Sequence, residues 1–100
     1  MSDRAILPNR RAAETFEVKH GSHTVTVTVG YYANGSLGEV FVTDPKVGSS
    51  MEAIARDAAV LLSISVQHRV PLETIRHAIT REQDGTASSI IGAVVDQLGE

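Results

Sequence analysis

One hundred residues with 42% apolar and 21% charged side chains suit one folded domain with a single core. A net charge of −3, with two Phe, two Tyr and no Trp, supplies neither an attractive field nor stacking platforms for nucleic acid. The absence of cysteine excludes disulfides, thiolate metal sites and chemistry that runs through a thiol. His20, His23, His68 and His77 show no His-x₃-His or His-Glu-x-x-His spacing, so neither a metal nor a cofactor is expected. No apolar run approaches the roughly 18 residues of a membrane span, and no signal-peptide pattern is present. A cytoplasmic location is the expectation.

Residues 1–13 read as an extended arm. Pro8 lacks a backbone donor and biases Leu7 towards extended geometry. Arg4, Arg10 and Arg11 could meet phosphates, but the favoured reading is a solvated arm whose Ile6 and Leu7 dock on the domain or on a partner. From Thr15 to Lys19, Phe16 and Val18 alternate with charged residues, and His20-Gly21-Ser22 is a turn. His23 to Val29 is a period-2 strand with Val25, Val27 and Val29 on one face and Thr24, Thr26 and Thr28 on the other. Asn34-Gly35 is a hairpin signal with positive φ accessible at both residues. The third strand is Leu37 to Val42, with Val40 and Val42 on one face and Glu39 and Phe41 on the other. Phe41 and the nearby tyrosines are expected to add an apolar patch to the threonine face.

Residues 43–50 lead into the principal helix, which runs to about His68. Ser49 or Ser50 suits its N-cap, and Glu52 complements its positive end. Met51, Ile54, Ala55, Ala58, Leu61, Leu62 and Ser65 follow helical spacing on one side. Ala53, Val60 and Ile64 widen this arc, so burial on most sides is expected, by the sheet and by later helices or a second copy. Glu52, Arg56, Ser63 and Gln67 form the polar stripe, with Glu52 and Arg56 spaced as an i,i+4 pair. Asp57 falls on the apolar arc, where a carboxylate needs a partner, His68 or an arginine. Structural polar residue is the favoured reading of Asp57, with a binding or catalytic carboxylate as the alternative.

Pro71 breaks the helix and starts a short one over 71–81 with Leu72, Ile75, Ala78 and Ile79 on its apolar face. A polar loop follows, and Ser88 or Ser89 caps a last helix carrying Ile90, Ile91, Val94, Val95 and Leu98. The fold class is therefore α+β: a three-stranded antiparallel meander, a long buried helix and two shorter helices. Residues 14–98 form the single domain.

Several fragments, in order and at their spacing, resemble the TSCPD domain. They are Arg4-Ala5-Ile6-Leu7-Pro8-Asn9-Arg10-Arg11, Thr15-Phe16, Val29-Gly30-Tyr31, Asn34-Gly35 and Gly38-Glu39-Val40-Phe41-Val42. Lys46-Val47-Gly48-Ser49-Ser50, Ala58-Ala59, Ser63, Gln67-His68 and Val70-Pro71-Leu72-Glu73 continue the series. Arg81, Asp84-Gly85 and Ile91-Gly92 resemble the short free-standing forms more closely. The resemblance covers roughly residues 4 to 96. That domain occurs near the C-terminus of adenosylcobalamin-dependent ribonucleotide reductases and as short free-standing proteins. Two departures stand out: the cysteine motif behind the domain's name is absent, and Arg69 stands where the family commonly has Gly. Gly there would end a helix in left-handed geometry, which suggests a different break here.

Reductase chemistry in that family proceeds through a cysteine thiyl radical and a redox-active cysteine pair on a large barrel, neither of which this chain can supply. With the wide apolar arc of the principal helix and the two-faced sheet, this favours a non-catalytic module acting by protein–protein contact, as a homo-oligomer; the resemblance adds a ribonucleotide reductase as a partner and a role accessory to deoxyribonucleotide synthesis. The alternative is a small-ligand module that binds a nucleotide or other anion where the principal helix begins. There Lys46 would bring charge, Gly48 close backbone approach, and Ser49 and Ser50 donors.

Overall fold

The computed structural model describes residues 5–7, 11–43 and 50–99. Three strands, β1 (Ala13–His20), β2 (His23–Tyr31) and β3 (Leu37–Thr43), form one antiparallel sheet in the order β1-β2-β3. Three helices follow: α1 (Ser50–Gln67), α2 (Leu72–Ala78) and α3 (Ile90–Leu98). The α+β meander-then-helices expectation holds.

Period-2 alternation sets the sheet's two faces. The register places Val18 opposite Val25, Val27 opposite Val42 and Val29 opposite Val40, so the valines share one face. That face is the core, where α1 packs along β3 and α3 lies over β1. Ala55, Ala59 and Leu62 of α1 and Ile90, Val94 and Val95 of α3 complete it. The threonine face stays open, and it carries Phe41, which is 52% exposed. Tyr31 does not join it: this side chain is partly buried against the core, and its hydroxyl donates to Glu14.

The two hairpins differ. Gly21, with φ of 61°, closes the tight β1–β2 turn. At the second, Asn34 keeps a negative φ and Gly35 alone is positive, at 88°. The Gly35 amide donates to the Tyr32 carbonyl and the Tyr32 amide to the Ser36 carbonyl, giving a three-residue loop with one left-handed glycine. Asn34 Oδ1 accepts from both the amide and the hydroxyl of Ser36, a bond that holds Asn34 out of left-handed geometry. The polar loop at 81–87 repeats this design. Gly85 has φ of 93°, Asp84 Oδ1 accepts from the Thr86 amide and hydroxyl, and a bridge joins Arg81 to Ala87.

Part of the arm is docked. The Ala5 amide donates to the Gln67 carbonyl, and the Tyr32 hydroxyl donates to the Ala5 carbonyl. Leu7 lies over Gly38, where any side chain would collide with it. Ile6, in contrast, is 91% exposed.

At the end of α1 the break keeps left-handed geometry although the residue is Arg69, with φ of 67°. The expectation of a different break is overturned. The amides of Arg69 and Val70 still donate to the carbonyls of Val66 and Ser65, and these bonds hold the arginine in a conformation costing about 1–2 kcal/mol. Helix α2 is shorter than the periodicity predicts. Pro71 is its N-cap rather than a residue of its first turn, and Ile79 turns extended with ψ of 160°. Helix α3 is capped by Ser89, whose side chain accepts from the Gly92 amide at 3.0 Å.

Candidate interaction surface

Helix α1 is oriented by the open edge of β3. In an antiparallel sheet, alternate residues of an outer strand point their N–H and C=O away from the neighbouring strand. Val40 is such a residue, and one side chain satisfies both groups: Ser63 Oγ accepts from its amide at 2.8 Å and donates to its carbonyl at 2.9 Å. One turn on, Gln67 Nε2 donates to the Gly38 carbonyl at 2.8 Å. Three of the four polar-stripe residues, Glu52, Ser63 and Gln67, therefore turn inward, while Arg56 stays exposed. Glu52 and Gln67 are buried, beside the small and apolar Ala55, Ala59 and Leu62.

This docking turns much of the apolar arc outward, which corrects the expectation of a helix buried on most sides. Ile54 and Leu61 are each 66% exposed, Val60 54% and Ile64 36%. An amphipathic helix packed by its apolar face would hide these residues; here the strand edge claims the other side. Phe41 joins the patch across a groove of about 650 Å³ whose walls include Val60, Ile64 and Arg56. A row of exposed apolar side chains of this kind marks contact sites more often than scattered single residues do.

Asp57 lies on this outer face and is exposed, not turned to the buried side. His68 is exposed as well. The two cannot pair within one chain, because eleven residues of helix separate them by about 16 Å. Among the described residues, Lys46, Gly48 and Ser49 do not appear; Ser50 is the first residue of α1. The anion-site expectation therefore lies outside what is described.

The perturbed ionisable groups elsewhere belong to structural pairs. Arg81 reaches both carboxylate oxygens of Asp96, at 2.6 and 2.7 Å, and also donates to the Arg76 and Gly85 carbonyls. Hydrogen bonding to Arg81, with a lesser contribution from Arg76, holds the Asp96 carboxyl below its ordinary value. Asp84 is lowered by its bonds to Thr86, and Tyr31 is raised chiefly by its bond to Glu14. On the threonine side, Glu39 lies over Gly30 and pairs with Arg11. Sequence reading missed the Arg81–Asp96 clasp, because the partners are distant in sequence and no local pattern links them. Among the described residues, no three His, Asp or Glu side chains converge as a metal site would require. No helix there is long and apolar enough to cross a membrane.

A family model described as the TSCPD domain matches residues 3–100. Over 78 residues, 78% of this chain, it is 35% identical to a vitamin B12-dependent ribonucleotide reductase of Agrobacterium fabrum. The reductase of the same description from Bradyrhizobium diazoefficiens is 32% identical over 80% of the chain, and that from Rhodopirellula baltica 38% over 72%. The matched stretch is only 6–7% of the length of these relatives. No solved structure matches the chain. With the meander, the capped strand edge and a family match over nearly every residue, this chain belongs to the TSCPD domain family.

Proposed function

We propose that this chain is a non-catalytic TSCPD module that works by protein–protein contact, as a homodimer, in support of deoxyribonucleotide synthesis. The observation that carries the reading is the outward apolar face of α1, with Ile54, Val60 and Leu61 each more than half exposed. Burying a Val, Leu or Ile side chain yields about 1.5–3 kcal/mol, so leaving this row in water forgoes several kcal/mol that a contact would recover. The relatives are vitamin B12-dependent ribonucleotide reductases, and the link to deoxyribonucleotide synthesis rests on that kinship.

Sedimentation equilibrium across the micromolar range tests the contact. The wild-type chain is expected to self-associate, and Leu61→Glu to be monomeric with an unchanged circular dichroism spectrum. A wild-type chain that stays monomeric throughout defeats the homodimer. A pull-down read by mass spectrometry tests the metabolic link, which recovery of reductase subunits supports and their absence counts against.

A further inference from the structure

We propose that the homodimer is built by two α1 helices packed antiparallel, centred between Leu61 and Ile64, with Asp57 of each copy against His68 of the other. This rests on the homodimer reading above and specifies its geometry. Ile54, Asp57, Leu61, Ile64 and His68 recur at alternating steps of three and four residues, the spacing of a helix–helix seam, and all five are exposed. His68 continues the helical line, because its amide donates to the Ile64 carbonyl at 3.0 Å. The flanking Ala53 and Ala58 are small enough to let a second helix approach closely.

Asp57 selects the register. A parallel pair sets each residue opposite its own copy, which places Asp57 against Asp57 in a closing interface. An antiparallel pair centred on residue 59 sets Asp57 against Leu61 of the partner and desolvates a carboxylate without a donor. Centring between Leu61 and Ile64 pairs those two residues reciprocally, and the same two-fold brings Asp57 opposite the partner's His68. An imidazole offers an N–H to the carboxylate whether neutral or charged. The seam then has an apolar middle closed at each end by one carboxylate–imidazole pair. Asp57 and His68, which have no mate among the described residues of one chain, find it in the second.

The chain has no cysteine, so introduced thiols report the register without background. Asp57→Cys and His68→Cys are prepared separately and treated with a short bismaleimide, alone and mixed. The expected result is a cross-linked dimer in the mixture and none from either variant alone. Cross-linking of each variant alone indicates a parallel pair and overturns the proposal. So does preferential cross-linking of Asp57→Cys to Leu61→Cys, which reports the other register. Either outcome leaves the homodimer standing, whereas a wild-type monomer in sedimentation defeats the homodimer itself. As a second arm, His68→Glu sets two carboxylates together and is expected to raise the dissociation constant at least about tenfold. The double variant Asp57→Lys/His68→Glu restores it, and failure to restore overturns the pairing.

Discussion

Replacing Ser63 with alanine removes the one hydroxyl that satisfies both backbone groups of Val40. Val40 is only 1% exposed, so water reaches its N–H and C=O poorly once the hydroxyl is gone. Leaving a buried backbone group unpaired costs about 1–3 kcal/mol, the carbonyl being the more forgiving of the two. Alanine returns about 0.5 kcal/mol through its higher helix propensity. The net expectation is a loss of about 2–3 kcal/mol, a substantial part of the roughly 5–15 kcal/mol that holds a domain together. At about 4–8 °C per kcal/mol for a chain of this size, the melting temperature falls by roughly 10–20 °C. Urea unfolding followed by circular dichroism measures it, with Ser63→Thr as the control that keeps the hydroxyl and loses under about 1 kcal/mol. A Ser63→Ala loss below about 0.5 kcal/mol refutes the reasoning, since Val40 would then be finding other partners and the strand edge would not be what orients α1.

Arg69→Gly relieves left-handed strain of about 1–2 kcal/mol while loosening the unfolded chain by about 0.5–1 kcal/mol. Urea titration should therefore show a gain of roughly 0.5–1 kcal/mol; a loss would mean that the arginine side chain contributes more than its backbone costs. Folding holds the Asp96 carboxyl below its unfolded value near ~3.9, so its stabilisation is present above that pH and is lost as pH falls through the lower folded value. Asp96→Asn should lower stability at neutral pH by about 2 kcal/mol and flatten the acid limb of melting temperature against pH. An unchanged acid limb contradicts the clasp. Gly38→Ala puts a methyl where Leu7 packs and within 3.2 Å of the Tyr32 ring, so the arm is expected to lift. Faster hydrogen exchange at the Ala5 amide, now bonded to the Gln67 carbonyl at 2.9 Å, is the readout.

The strands, their faces and their order were legible in the sequence because alternation of valine and threonine is a local pattern with one geometric solution. The second hairpin was legible as a turn but not as a type, since Ser36 competes for Asn34 and leaves only Gly35 left-handed. Arg69 shows the reverse: local preference argued against left-handed geometry, and the bonds from the Arg69 and Val70 amides imposed it. The Arg81–Asp96 clasp spans fifteen residues, from the 81–87 loop to α3, which no periodicity encodes.

What the sequence determined by itself is the composition of α1: one wide apolar arc and one polar stripe, with Asp57 within the helix and His68 just past its end. Which side faces inward was a tertiary decision. A helix beside a covered sheet face hides its apolar side, but a helix laid along an open strand edge must also bring donors and acceptors to it. Ser63 and Gln67 meet that requirement at Val40 and Gly38, and their inward turn carries Ile54, Leu61 and Ile64 out to the surface. Unpaired backbone groups in a buried strand cost more than exposed methyls, so the edge chose the face.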